Sequence, residues 1–125
     1  QDNAINAALN YGYAILLSAV NREILSLGYI TQLGLNHCNQ FNPYNLGSDL
    51  MEPLRGFVDA VVIKSIPTEF NRDVKLSLIE LLSEDVKIND TIQTFSAAIR
   101  IYCKSVFDAL RNQDASEIRF IEYEL

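Results

Sequence analysis

Four residues of this chain have types and spacing that could do chemistry: His37, Asp49, Glu52 and Arg55. His37 is the only histidine and stands in a polar stretch. A lone histidine in such a setting more often makes a hydrogen bond than ligates a metal. Asp49 and Glu52 are three residues apart and Arg55 is three further on, so on a helix all three share a face. One reading of that face is solvated surface carrying a local Glu52–Arg55 ion pair, worth a few tenths of a kcal/mol. Against it, the surrounding segment is rich in apolar residues and its start adjoins His37. A histidine with one or two carboxylates suits Mg²⁺ or Mn²⁺ better than zinc, and the imidazole tilts the choice toward Mn²⁺.

The elements that must position these residues can be read from the hydrophobic spacing. Asp2 or Asn3 can cap a first helix. Ile5, Ala8, Leu9, Gly12, Ile15, Leu16, Ala19, Val20 and Leu27 then follow helical periodicity, and Gly28 reads as a left-handed stop. Gly12 inside it is either a close-packing point or a weak spot. Residues 29–43 are aperiodic and hold Gly34, Asn36, Asn39, Asn42 and Pro43. A loop of that length inside a domain is commonly functional or disordered.

A second helix starts at Tyr44 with Leu46, Leu50, Leu54, Phe57, Val58, Val61 and Val62 as its apolar stripe. Pro53 interrupts it, and a proline there costs about 3 kcal/mol unless the helix kinks or restarts. Pro67 ends this unit. Thr68 then caps a third helix to about Leu82, with Phe70, Val74, Leu78, Leu81 and Leu82 inward. Two short alternating runs around Asn89-Asp90 predict a hairpin over Val86–Phe95. Ser96 caps a fourth helix to about Asn112 that buries Ala97, Ile99, Ile101, Val106, Phe107 and Leu110. The tail Ile118–Tyr123 reads as a strand or an ordered arm. The predicted fold class is mainly α: a helical bundle domain with a minor short β-hairpin and a C-terminal tail, an architecture that decides little about function by itself.

Composition narrows the classes further. The chain has 125 residues, enough for one domain with a real core. No apolar run reaches the roughly 18 residues of a membrane span, so no membrane association is expected. Net charge is −6, the opposite of the usual nucleic-acid binder. The acids are concentrated in the second half: residues 1–65 hold five acids and three bases, residues 66–125 eleven and seven. Cys38 and Cys103 are too far apart for a zinc pattern or a disulfide framework, and a reduced, cytoplasmic protein is expected. The sequence has no P-loop, GxSxG or HExxH pattern. Cys38 merely adjoins His37.

Against this reading stand the runs "LNYGYAIL" at 9–16, "GLNHCNQFN" at 34–42 and "DLMEP" at 49–53. Their order and spacing across residues 2–63 resemble the C-terminal domain of the CRISPR-associated protein 1 family, and its type II branch in particular. The resemblance continues more loosely through "KSVFDAL" at 104–110. It implies a Glu, His, acid metal site for Mg²⁺ or Mn²⁺, with His37 as the matching histidine and Glu52, fifteen positions later, as the acid. Both would be catalytic. Asp49 matches another acid of that segment and is an alternative or supporting ligand, Arg55 would pair with Glu52 or with DNA phosphate, and Asn10 would support the site. Asn36 stands where a second histidine is common.

The resemblance also implies that the family's first ligand, a glutamate, lies upstream of the first helix. The chain is therefore expected to be a C-terminal helical catalytic domain, a fragment without that glutamate and without the N-terminal β-rich dimerisation domain, and with little or no activity by itself. The complete enzyme would be a metal-dependent DNA endonuclease and integrase that inserts spacers into CRISPR arrays in antiviral defence. Its partners would be DNA (prespacer and repeat), a second copy of itself, CRISPR-associated protein 2 and other type II adaptation proteins. The alternative is a non-catalytic helical protein-interaction module.

Overall fold

In the computed structural model the described residues are 2–28 and 43–122. The first helix, α1, spans Asp2–Ser26. Alanine and leucine give it high intrinsic helicity. Ala4, Ala8, Leu16, Ala19, Val20 and Ile24 form a buried stripe at helical spacing, which makes α1 the hub of the bundle. Asp2 and Asn3 lie within its first turn rather than capping it. No described glycine has a positive φ, so Gly28 is not the left-handed stop expected. The expected loop at 29–43, with Asn36, His37 and Cys38, lies almost entirely outside the described residues, and Pro43 already belongs to the next helix.

The second unit restarts at its proline. Helix α2 spans Pro43–Met51, a single 3-10 turn covers Glu52–Leu54, and α3 spans Arg55–Ser65. Pro53 has no N–H to give the preceding turn. The last carbonyls of α2 therefore need other donors, and the buried Tyr102 hydroxyl donates to the Leu50 carbonyl at 2.9 Å. The expected stripe is correct: Leu46, Leu50, Leu54, Phe57, Val58 and Val62 are buried and Val61 is partly buried.

Helix α4 is shorter than expected, Arg72–Glu80, followed by a 3-10 turn at Leu81–Ser83. Its cap is Asn71, whose side chain accepts the Val74 N–H at 3.1 Å, and not Thr68. Strands β1 (Asp85–Ile88) and β2 (Thr91–Thr94) pair antiparallel, with Ile88 opposite Thr91. Asn89 and Asp90 carry φ of 54° and 62°, the two positive values that a type I′ turn requires.

Helix α5 spans Phe95–Asn112. Thr94 caps it, accepting the Ala97 N–H at 3.2 Å, where Ser96 was expected. Of its expected inward residues, Ile99, Val106 and Phe107 are buried, whereas Ala97, Ile101 and Leu110 are only partly so. After a 3-10 turn at Ala115–Glu117, the chain returns as β3 (Ile121–Glu122), antiparallel to β1, which gives the strand order β2-β1-β3. The buried Ser105 hydroxyl fixes that return by accepting the Arg119 N–H at 2.8 Å.

Helix α1 packs against α2, α3, α4 and α5. Two glycines set how closely. A Cβ on Gly12 would lie 2.4 Å from Val58 Cγ1, and one on Gly47 would lie 2.1 Å from Asn21 Oδ1. Gly12 is thus a close-packing point between α1 and α3. The core continues through Phe57 against Phe95, ring centroids 4.6 Å apart, to Phe107 and Ile88. A carboxylate enters it: Glu23 on α1 is buried and pairs with Arg100 on α5 at 3.4 Å. No described helix is long and apolar enough to cross a membrane.

Candidate metal centre

The junction between α2 and α3 decides what Glu52 can do. Met51 and Leu54 are buried on either side of it, while Glu52 and Pro53 are exposed. The 3-10 turn therefore holds two apolar anchors in the core and presents the Glu52 carboxylate at a corner of the bundle. Asp49, on the last full turn of α2, is exposed as well.

Arg55 reaches back from the start of α3. Its Nε lies 3.3 Å from Glu52 Oε2, with the two side chains 44% and 66% exposed. The expected ion pair is present. Its guanidinium also lies 4.8 Å above the centroid of the Tyr13 ring, contributed by α1, a stacking geometry that attracts a cation to the ring face. The Tyr13 hydroxyl donates in turn to Asp59 Oδ1 on α3. Burial, then the Asp59 hydrogen bond, pushes the Tyr13 hydroxyl up to about 12, so it remains a protonated donor across the neutral range. Asn10 is exposed on α1, one turn before Tyr13.

Glu52, Arg55, Tyr13 and Asp59 are thus brought together, and His37 lies outside the described residues. The sequence alone assigns no role to Tyr13 or Asp59 in the site. The signal available was the spacing of Asp59, four residues after Arg55 and so on the same helical face.

Among the described residues no group of three or more His, Cys, Asp or Glu side chains is arranged to hold a metal ion. What the corner does present is carboxylate oxygen, open to solvent, with Glu52 Oε2 held by a cation of the protein. That donor chemistry fits a hard divalent ion such as Mg²⁺ or Mn²⁺, which takes one or two carboxylates and keeps positions for phosphate oxygen.

A family profile described as "CRISPR associated protein Cas1" matches residues 1–100. The chain is 34% identical over 126 residues to the CRISPR-associated endonuclease Cas1 of Neisseria meningitidis serogroup C (strain 8013), covering 97% of this chain and 41% of that protein. It is 34% identical over 83 residues to the CRISPR-associated endonuclease Cas1 1 of Pyrobaculum aerophilum, with 61% of this chain and 28% of that protein covered. Over 65 residues it is 40% identical to the CRISPR-associated protein Cas1 3 of Methanobrevibacter ruminantium, covering 51% and 20%. The chain spans less than half the length of each of these relatives.

Proposed function

Because the chain belongs to the CRISPR associated protein Cas1 family, we propose that it is the C-terminal, type II-like catalytic portion of a metal-dependent DNA endonuclease and integrase. The observation that carries this reading is the family match together with the exposed, arginine-held Glu52 carboxylate at the α2–α3 corner. The match covers the α2–α3 corner and the segment that contains His37. In the proposed reaction the 3′-hydroxyl oxygen of a prespacer strand bonds to the phosphorus of a repeat phosphodiester. The bond from that phosphorus to the leaving 3′ oxygen breaks, the attacking hydroxyl loses its proton and the leaving oxygen gains one. No nucleophile from the protein is required, which accords with the lack of any nucleophile motif in the sequence.

A Mg²⁺ or Mn²⁺ ion bound there would supply Lewis-acid polarisation of the phosphoryl group. The chain's own residues have the tasks of binding and orientation. His37 offers a neutral nitrogen and Glu52 a charged oxygen. Arg55 keeps the Glu52 carboxylate in place, and Asp49 on the adjoining turn offers an alternative or supporting carboxylate. Asn10, one turn before Tyr13 on α1, would support the site. A further glutamate, upstream in the complete protein, would complete the ligands. An N-terminal dimerisation domain, a second copy and CRISPR-associated protein 2 would furnish much of the DNA surface, which a chain of net charge −6 does not offer by itself.

The test uses the full-length protein with its adaptation partners. His37→Ala and Glu52→Ala are each expected to abolish integration of a prespacer into a repeat substrate, and to weaken Mn²⁺ binding measured by calorimetry. Parental integration by both variants would sink the proposal and leave a helical interaction module in its place.

A further inference from the structure

An exposed ion pair three residues apart on a helix is worth only a few tenths of a kcal/mol and does not fix its side chains in one geometry. Glu52 and Arg55 are such a pair, on a corner facing solvent. Yet the guanidinium is also stacked on Tyr13, and the Tyr13 ring is held at its far end by Asp59. Tyr13 comes from the hub helix α1, while Arg55 and Asp59 lie one turn apart on α3. Two helices therefore close a brace around one arginine, which needs α1 and α3 in close contact. Gly12 and Val58, each one residue before a member of the brace, are the point of that contact.

We propose that Tyr13 and Asp59 are positioning residues for the candidate centre, acting through Arg55 to hold the Glu52 carboxylate in its ligating orientation. The inference rests on the assignment of Glu52 to the centre made above. Asp59 fixes the azimuth of the Tyr13 ring, the ring fixes the plane of the guanidinium, and the guanidinium engages Oε2 of Glu52. The ion pair is made through Oε2, which assigns Oε1 to the cation in this proposal. Ordering the arginine before the ligand arrives removes a rotamer-entropy cost from the binding step. A brace that served only to pack α1 against α3 would act equally well with any side chain at position 55.

That difference is the basis of the test, made in the full-length protein. Mn²⁺ affinity by calorimetry and strand-transfer rate are measured for Tyr13→Phe, Asp59→Ala and Asp59→Asn, each alone and combined with Arg55→Ala, with His37→Ala as control. Tyr13→Phe and Asp59→Ala are each expected to weaken Mn²⁺ binding about tenfold, the lower end of what loss of a group supporting a ligand costs. Asp59→Asn keeps an acceptor for the hydroxyl and is expected to stay close to the parent. In the Arg55→Ala background neither change is expected to weaken Mn²⁺ binding further. The proposal is overturned if Tyr13→Phe binds Mn²⁺ as the parent does while His37→Ala does not, or if the losses persist undiminished once Arg55 is gone. If His37→Ala itself binds Mn²⁺ and transfers strands like the parent, it is the assignment of the centre that fails, and the brace with it.

Discussion

Charge at this surface is managed by single side chains, and so is charge in the core. Cys103 on α5 is fully buried, and burial, with the Glu23 carboxylate adding to it, pushes its thiol up to about 12 from 9.0. Tyr102 beside it is pushed up to about 12 from 10.0, first by burial. A group whose pKa is raised by folding holds its proton in the native state over a range where the unfolded chain has lost it. The unfolded state then binds fewer protons, so stability falls as pH rises through that window. For Cys103 the window opens near pH 9, and for Tyr102 and Tyr13 near pH 10. Unfolding by urea at pH 8, 9 and 10 is expected to show stability falling, in its Cys103 component, by only about 0.3 kcal/mol over the first step and by about 1 kcal/mol over the second, where a fully differential proton is worth about 1.4 kcal/mol per unit. Cys103→Ala should flatten the second step. An unchanged slope in that variant would show that the thiol titrates freely in the native state.

Helix ends are where sequence and structure part most. At the end of α5 the Asp114 N–H bonds the Ala109 carbonyl at 2.9 Å and the Gln113 N–H bonds the Leu110 carbonyl at 3.3 Å. This is the Schellman pattern, which wants a left-handed residue where Gln113 sits at φ 54°. Glycine adopts that conformation without the Cβ penalty. Gln113→Gly is therefore expected to stabilise the protein by about 0.5–1 kcal/mol, read as a raised denaturation midpoint. A lowered midpoint would mean that the exposed Gln113 side chain contributes more than its backbone strain costs. The amphipathic stripes, the hairpin around Asn89-Asp90 and the restart at Pro53 are all legible in the sequence, because burial periodicity and proline chemistry act locally. The caps are not. Thr94 and Asn71 compete with Ser96 and Thr68, residues of the same capping chemistry a few positions away. The choice is made by where β2 must end and where the chain enters α4, which is tertiary information. The site is half legible in the same sense. Arg55 and Glu52 pair three residues apart, across the junction of the 3-10 turn and α3, and follow from spacing. The Tyr13–Asp59 link crosses 46 residues of chain and depends on how α1 and α3 pack.

At the scale of the whole molecule that packing turns on one missing side chain. Gly12 lies in the middle of the hub helix, where alanine would favour the helix by about 1 kcal/mol. The same alanine would place its Cβ 2.4 Å from Val58 Cγ1. Val58 is buried and β-branched, so it has few rotamers with which to give way. Overpacking of this kind costs about 1–3 kcal/mol, which outweighs the propensity gain, and Gly12→Ala is expected to be destabilising by about 1 kcal/mol net. The consequence should reach the surface, since Gly12 adjoins Tyr13 and Val58 adjoins Asp59. Moving α1 away from α3 stretches the hydrogen bond on which the Arg55 brace depends. Gly12→Ala in the full-length protein is thus expected to lower both the melting midpoint and the Mn²⁺ affinity. Val58→Ala, combined with it, opens room for the new methyl group and should restore part of each. Calorimetric melts and Mn²⁺ titrations of the two single variants and the double variant form a cycle with a positive coupling if contact at this point sets the interhelix distance. Strictly additive losses would show that α1 and α3 are kept apart by other residues, and that the brace does not depend on Gly12.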